Sequence, residues 1–271
     1  MSRISRVFNE LRKQGRTALI PFVTAGDPDP EVTVPLLHAM VDAGADIVEL
    51  GIPFSDPMAD GPVIQRASER ALEQGISLNA CLEMVRRFRE TDPSTPIVLM
   101  GYLNPIEVMG YGEFSERAQA AGVDGTLIVD IPPEEGHDLL AALREREIDS
   151  IYLIAPTSTT ARIRLICDVA GGFVYYVSVK GVTGSAHLDV AAVNEKLGEI
   201  RQETGLPVGV GFGIKDAETA ARVAQTADAV VVGSAIVGRI EQLRERPDAI
   251  AGEVAAFLRG LRSAMDQVKK A

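Results

Sequence analysis

Cysteine and histidine are scarce in this sequence. Its 271 residues include two cysteines, Cys81 and Cys167, and three histidines, His38, His137 and His187. The cysteines match neither a paired metal motif nor a disulfide framework, so we expect them to serve as small buried apolar side chains. No histidine has a second histidine or a cysteine at ligand spacing, which argues against a protein metal site.

The sequence also lacks a basic stripe and a long uncharged run. Its formal net charge is −11, which argues against nucleic acid or an anionic membrane as a partner. No uncharged run reaches transmembrane length, and the N-terminal segment has no apolar signal core. These absences predict an acidic cytoplasmic enzyme.

Apolar runs of strand length recur along the chain, each ending in glycine, proline or polar residues. The eight runs are "ALIPFVTAGDP", "DIVELGIPFSDP", "PIVLMGYLNP", "GTLIVDIPP", "SIYLIAPTS", "FVYYVSVKGVTG", "PVGVGFGI" and "AVVVGSAIV". Helix-compatible segments separate them. Continuous apolar runs indicate strands buried on both faces, and eight strand–helix units are typical of a closed parallel barrel. We therefore predict an α/β fold, a single (β/α)8 TIM-barrel domain over residues 1–271, with an open doubly wound sheet as the alternative.

The two ends of the chain predict further helices. Ile4, Phe8 and Leu11 lie at helical spacing and indicate an extra N-terminal helix that covers the N-terminal mouth of the barrel. The C-terminal stretch "DAIAGEVAAFLRGLRSAMDQVKK" is the expected last outer helix.

Glu49 is a carboxylate inside the second apolar run. With a period of two it shares a face with Ile47 and Gly51, so we expect it to point into the barrel mouth, where desolvation raises its pKa. Such a group can hold and return a proton, as general acid–base catalysis requires. The alternative is an ion pair with a neighbouring strand, but across the eight runs the only basic residue is Lys180.

Two aspartates follow Glu49 in a loop rich in proline and glycine. Asp56 and Asp60 are both compatible with turn or helix-cap roles, and Asp60 precedes Gly61 and Pro62 where a helix is expected to begin. From composition alone, a turn or helix-cap role is the favoured interpretation of Asp60.

Glycines cluster after the last three strands, in "GVTGS", "GFGI" and "GSAIV". Barrels of this kind bind phosphate after strands seven and eight, where backbone N–H groups and a helix N-terminus face the anion. Gly213, Gly233 and Ser234 are the expected donors, with Gly184 at the side. A single glycine cluster could be explained by turn chemistry alone. Three neighbouring clusters favour a phosphate site, so we predict a small phosphorylated substrate.

The motifs "VELGIPFSDPMADGPVIQ", "GYLNP", "IVDIPPEE", "LIAPTS", "YYVSVKGVTG" and "GVGFGI" resemble those of tryptophan synthase alpha subunits, in order and nearly end to end. The resemblance implies a barrel that cleaves indole-3-glycerol phosphate to indole and glyceraldehyde 3-phosphate without a cofactor or metal of its own. It also implies a beta-subunit partner that holds pyridoxal phosphate, in an alpha-beta-beta-alpha complex.

The family's functional residues map onto positions of this sequence. Glu49 matches the catalytic glutamate, and Asp60 matches the aspartate that binds the indole N–H. The remaining positions are Tyr175 in the active site; Phe22, Met100, Leu127, Val129 and Leu153 at the pocket wall; Thr183 in a lid; Gly184, Gly213, Gly233, Ser234 and Ala235 at the phosphate; and Asp56, Asn104 and Pro105 at the partner interface.

Three other functions remain open from the residues. Lys180 is compatible with a Schiff-base lyase, although a surface lysine is the simpler interpretation. A phosphosugar isomerase on a similar phosphate-binding barrel is the second, and a non-catalytic indole-binding subunit is the third.

Overall fold

The computed structural model describes residues 1–177, 190–211 and 213–268. The strands are Ala18–Thr24 (β1), Val48–Gly51 (β2), Ile97–Gly101 (β3), Gly125–Ile128 (β4), Asp149–Ile154 (β5), Val174–Val177 (β6), Val208–Gly211 (β7) and Ala229–Val232 (β8). Each strand pairs in parallel with the next, and β8 pairs with β1 to close the barrel. The predicted TIM barrel is confirmed, and the open sheet is excluded.

Helices surround the barrel. They are Arg3–Lys13 (α1), Pro30–Asp42 (α2), Pro62–Glu73 (α3), Leu78–Arg89 (α4), Leu103–Met109 (α5), Tyr111–Ala121 (α6), His137–Glu145 (α7), Thr160–Val169 (α8), Val190–Glu203 (α9), Ala217–Ala224 (α10), Ser234–Gln242 (α11) and Pro247–Asp266 (α12). Within the described ranges, no helix is both long enough and apolar enough to cross a membrane.

The expected repeat of one helix per strand is wrong at three places. Strands β2, β3 and β8 are each followed by two helices. The break between α3 and α4 has a local cause, because Gly75 adopts a φ of 73° and the Ser77 side chain accepts a hydrogen bond from the Ala80 N–H to begin α4. The additional helices α3 and α11 begin next to the predicted site residues Asp60 and Gly233.

The first helix closes the bottom of the barrel, as the sequence predicted. Ile4, Phe8 and Leu11 of α1 are buried in one apolar cluster with inward-facing residues of the strands. The rings of Phe8 and Phe173 lie 5.7 Å apart between centroids. The bottom of the barrel is therefore filled by packed apolar side chains.

A buried ion pair joins the last helix to the bottom of the barrel. Arg262 of α12 donates to Asp46 over 3.2 Å and to the Thr17 carbonyl over 3.0 Å. The same carboxylate oxygen of Asp46 accepts the backbone N–H of Leu19 in β1. These bonds fix α12 against the starts of β1 and β2, on the face opposite the predicted site.

Candidate active site

Glu49 lies in β2, between Phe22 of β1 and Val98 of β3 in the register of the barrel. It is 1% exposed, and Oε1 has no hydrogen-bond partner among the described residues. Burial without a compensating charge raises the pKa of Glu49 to about 8. Among the described residues no basic side chain pairs with Glu49, but Lys180, the one basic residue of the eight runs, lies outside them, so an ion pair with Lys180 stays open. With a pKa of about 8 the carboxyl group is protonated at neutral pH.

Tyr175 extends from β6 into the same space. Burial, with a further contribution from the charge of Glu49, raises its pKa well above the usual value. Its ring lies across Gly211 of β7, where an added Cβ would clash with the tyrosine Oη. A side chain at position 211 would therefore occupy the space that the Tyr175 ring fills.

Asp60 is held by a tyrosine that the sequence reasoning did not select. The Tyr102 hydroxyl donates to Asp60 Oδ2 over 3.1 Å and accepts the Ala59 N–H over 3.0 Å. The Tyr102 ring stacks on Phe54, with centroids 5.0 Å apart. The sequence feature that could have identified Tyr102 is its position directly after β3, at a strand end that faces the barrel mouth.

The helix-cap interpretation of Asp60 is wrong. The N-cap of α3 is Gly61, and no side chain caps this helix. Burial raises the pKa of Asp60 to about 6, while the hydrogen bond from Tyr102 acts in the opposite direction. The carboxylate of Asp60 is therefore ionised at neutral pH, when that of Glu49 is not.

The predicted wall residues come together above the apolar interior. Met100, Leu127, Val129, Leu153 and Tyr175 belong to the interior cluster or pack against it. Phe22 packs on Met100 in an adjacent small cluster with Ala67 of α3 and Val237 of α11.

A small cavity joins part of this wall to Asp60. It measures about 10 Å³, and its lining includes Phe22, Met100, Tyr102 and Asp60. Phe22 is also the register partner of Glu49. Asp60 and the wall thus share one cavity directly beside the strand position of Glu49.

A larger cavity opens beside this site, at the carboxyl ends of β4, β5 and β6. It measures about 730 Å³ and shares Val129 with the small cavity. Leu153 also lines it, and Ile128, Tyr152 and Ile166 form its apolar floor.

The predicted phosphate cradle lies at the start of α11. Gly233 is the N-cap residue, and Ser234 and Ala235 form the first turn, where backbone N–H groups have no partner within the helix. Gly213 has a φ of 80°, which favours glycine at this position. A Cβ on Gly233 would be 3.6 Å from the Phe22 ring, so the cradle borders the pocket wall. Thr183, Gly184 and Lys180 lie outside the described residues.

The predicted partner residues lie at the surface near the mouth. Asp56 is exposed and accepts a hydrogen bond from the Ser55 hydroxyl over 2.6 Å. Asn104 and Pro105 line a groove of about 600 Å³ together with Val108, which is 81% exposed. Met58, in the loop of Asp56, is 87% exposed. Two large apolar side chains therefore face outward near the predicted interface residues.

In the part of the chain that the structure describes, histidine, cysteine and carboxylate side chains form no group able to hold a metal ion.

Comparison with known proteins identifies the family. The family model of the tryptophan synthase alpha chain matches residues 8–266. The chain belongs to this family. A tryptophan synthase alpha chain of Thioalkalivibrio sulfidiphilus is 63% identical over 266 residues, which are 98% of this chain and 100% of the relative. One from Burkholderia thailandensis is 58% identical over 270 residues, or 100% of this chain and 99% of the relative.

Solved structures of the family have the same fold. The tryptophan synthase alpha subunit of Legionella pneumophila superposes with a TM-score of 0.91 at 44% identity, over 99% of this chain and 100% of that chain. A chain of tryptophan synthase from M. tuberculosis superposes with a TM-score of 0.83 at 36% identity, covering 95% and 100%. The resemblance seen in the motifs is thus confirmed, and the chain is a lyase-class enzyme subunit of tryptophan biosynthesis.

Proposed function

We propose that this chain cleaves indole-3-glycerol phosphate to indole and glyceraldehyde 3-phosphate, with Glu49 as both general acid and general base and Asp60 as the carboxylate that binds the indole N–H. The observation that carries the proposal is the contrast between these two carboxyl groups at one barrel mouth. Glu49 is buried with an oxygen that has no partner among the described residues, whereas Asp60 is held by Tyr102. Their pKa values of about 8 and about 6 give one neutral and one ionised group at pH 7.

The protonated Glu49 begins the reaction. It delivers its proton to indole C3, which places a positive charge on the ring nitrogen. The Glu49 carboxylate then removes the proton from the hydroxyl on the carbon attached to C3. The carbon–carbon bond breaks, its electron pair returns to the indole ring, the aldehyde forms, and Glu49 is protonated again.

Asp60 stabilises the intermediate of this reaction. Its carboxylate accepts the indole N–H and offsets the charge that develops on the nitrogen when C3 is protonated. Tyr102 orients that carboxylate through the hydrogen bond to Oδ2. Phe22, Met100, Leu127, Val129 and Leu153 supply the apolar walls for the ring, with Tyr175 beside Glu49.

The phosphate of the substrate binds at the start of α11. The N–H groups of Gly233, Ser234 and Ala235 and the positive end of the helix dipole face the anion. Gly213, in the loop after β7, is assigned to the same site. Gly184 and Thr183 remain assigned by resemblance, to the phosphate and to a lid. The distance between this cradle and the two carboxyl groups, Glu49 and Asp60, then selects the length of the glycerol chain.

Membership of the family implies a beta-subunit partner. We place the contact on the surface around Asp56, Asn104 and Pro105, where Met58 and Val108 expose apolar side chains. The proposal further includes an alpha-beta-beta-alpha complex with pyridoxal phosphate in the beta subunit, one domain over residues 1–271, and a cytoplasmic location without nucleic acid as a partner.

The test is indole release from indole-3-glycerol phosphate by the purified chain, alone and with a tryptophan synthase beta subunit. We expect slow release that accelerates when the beta subunit is added. Glu49→Gln should lower kcat by about 10³-fold or more, because the amide neither delivers nor accepts the proton. A folded wild-type chain that releases no indole in either case would contradict the proposal.

The stability of the same variant at two pH values tests the raised pKa of Glu49. A carboxyl group whose pKa is raised in the folded state stabilises the fold less as pH rises from about 4.5 to about 8. The glutamine side chain stays neutral, so Glu49→Gln should be more stable than the wild type at pH 9 by on the order of a few kcal/mol, with a smaller difference at pH 5. Urea unfolding at both pH values measures this difference.

A further inference from the structure

Arg70 of α3 lies at the centre of an ion network that the catalytic mechanism does not use. Its guanidinium donates two parallel hydrogen bonds to Asp27, over 2.7 and 3.0 Å, and a third to Glu241 of α11 over 3.0 Å. Arg66, one turn earlier in α3, forms two bonds with the same Glu241, over 2.6 and 2.8 Å. The network therefore joins α3, α11 and the loop after β1.

These three elements carry the parts of the proposed active site. Helix α3 begins at Pro62, two residues after Asp60, and α11 begins at Ser234 in the phosphate cradle. The loop that contains Asp27 follows β1, which carries Phe22. A shift of α3 along α11 would therefore change the distance between the indole-binding carboxylate and the phosphate site.

Apolar packing between the helices does not by itself fix that distance. The contact surface of α3 and α11 is formed by small or aliphatic side chains around Phe22, among them Ala67, Ile64 and Val237. Such surfaces are non-directional and tolerate small displacements. Arg70, in contrast, holds α3 to the loop after β1 through a bidentate pair with Asp27, which has a defined length and a defined plane, and its third bond, to Glu241, links α3 to α11.

The burial of the two pairs differs. The Asp27 side chain is fully buried and that of Arg70 is 15% exposed, whereas Arg66 is 46% exposed. Solvent screens the exposed pair, so it contributes little to geometry or stability. The hydrogen bonds from Arg66 and Arg70 lower the pKa of Glu241 to about 2, which keeps this link charged at the pH of the reaction.

We propose that Arg70 is a positioning residue that fixes Asp60 and the phosphate cradle at the spacing of the substrate. The proposal rests on the function proposed above. Arg70 does not touch the substrate, and its contribution is the alignment of the indole ring with Glu49 and Asp60 while the phosphate is bound. Misalignment on the scale of about 1 Å lowers the rate of an enzyme reaction strongly.

The decisive variant is Asp27→Asn combined with Arg70→Met. It removes both buried charges at once, so neither partner is left uncompensated, and a folded chain is expected. Arg70→Lys tests the geometry separately, because lysine keeps the charge without the planar fork. Arg66→Gln is the matched control, since it also contacts Glu241 from α3 but through an exposed pair.

Three quantities are measured for each variant with the beta subunit present: kcat, KM for indole-3-glycerol phosphate, and Kd for inorganic phosphate. We expect the double variant and Arg70→Lys to lower kcat by about tenfold, with Kd for phosphate within twofold of the wild type. Arg66→Gln should leave all three within twofold. Far-UV circular dichroism and urea unfolding give the folded fraction used to normalise kcat.

Two results would overturn the proposal. If the double variant keeps kcat within twofold of the wild type, Arg70 is only a structural residue. If Kd for phosphate weakens in proportion to the loss of kcat, the cradle itself is damaged and its spacing to Asp60 is not the cause. Failure of the wild type to release indole is a separate outcome, since it contradicts the proposed function and not the role of Arg70.

Discussion

At the scale of single residues, environment gives two carboxyl groups opposite protonation states. Glu49 is buried in the barrel, and its Oε1 lacks a hydrogen-bond partner among the described residues, so the neutral form is favoured. Asp60 accepts a hydrogen bond from the Tyr102 hydroxyl, which favours the ionised form and limits the rise in pKa that burial causes. The two groups can therefore act as acid and as anion at one pH.

The pH profile of kcat/KM should be bell-shaped. Activity requires ionised Asp60 and protonated Glu49, so it should fall below about pH 6 and above about pH 8. Tyr102→Phe removes the bond that lowers the pKa of Asp60, which should move the acidic limb upward and leave the basic limb in place. Tyr111→Phe, at a half-buried tyrosine bonded to Glu107, is the control. An acidic limb that does not move in Tyr102→Phe would disprove the assignment of that limb to Asp60.

Gly211 tests the volume that Tyr175 occupies. In Gly211→Ala the new methyl group would clash with Tyr175 Oη, so the ring has to move. Overpacking should cost about 1–3 kcal/mol of unfolding free energy, and displacement of a ring beside Glu49 should lower kcat about tenfold or more.

Gly209→Ala in the same strand is the matched control for this substitution. Its Cβ would meet the Phe173 ring at 3.4 Å, which is an ordinary contact. Equal activity of the two alanine variants would show that the position of Tyr175 does not limit the reaction.

At the scale of elements, helices outside the strand–helix repeat close the barrel or carry its site. The helix α1 fills the N-terminal mouth through Ile4, Phe8 and Leu11. The helices α3 and α11 lie directly after the Asp60 loop and the Gly233 turn. Closure of the bottom and construction of the site are thus divided among different helices.

Truncation of Phe8 should affect stability without affecting catalysis. Phe8→Ala removes a ring that is 5% exposed and packs on Phe173, so we expect a loss of about 3–5 kcal/mol in unfolding free energy. Because the ring is at the bottom of the barrel, kcat per folded chain should stay within twofold. Arg6→Ala, at an exposed position of the same helix, should change stability by less than about 0.5 kcal/mol. A large fall in kcat for Phe8→Ala would mean that the bottom of the barrel is coupled to the site.

At the scale of the whole molecule, the two ends of the barrel differ in what their polar groups do. The carboxyl ends of the strands carry the two proposed catalytic carboxyl groups, the phosphate cradle and the partner surface. The N-terminal ends carry buried ion pairs such as that of Arg262 with Asp46, which also bonds to the backbone of β1. Substitutions at the two ends should therefore separate activity from stability.

Arg262→Ala tests this division at the N-terminal end. Its removal leaves Asp46 without its closest cation, so the unfolding free energy should fall by about 3–5 kcal/mol, while kcat and KM of the folded chain stay unchanged. Arg259→Ala, at an exposed position of the same helix, is the control and should be near neutral. Denaturant unfolding and indole release measure the two effects. A stable Arg262→Ala variant with impaired turnover would contradict the division.

The sequence by itself determined the barrel and the N-terminal helix, and it singled out Glu49 as a carboxyl group buried in a strand. Continuous apolar runs, helical spacing and a carboxylate inside a strand are local patterns, and local patterns can be read without coordinates. Resemblance to the family's motifs also predicted Asp60 and the glycines of the cradle as site residues. The prediction of one helix after each strand was wrong because glycines with positive φ, such as Gly75 and Gly110, divide a single helix-compatible segment into two helices.

Only the tertiary structure decided which side chains contact one another across the site. The bond from Tyr102 to Asp60 joins residues 42 positions apart, and that from Arg70 to Glu241 joins residues 171 apart. The overlap of Tyr175 with Gly211 is likewise a contact between neighbouring strands. Such pairs depend on barrel closure, which brings strand ends and helices together at distances that no local pattern encodes. The pKa of Asp60 and the spacing of the site follow from that closure.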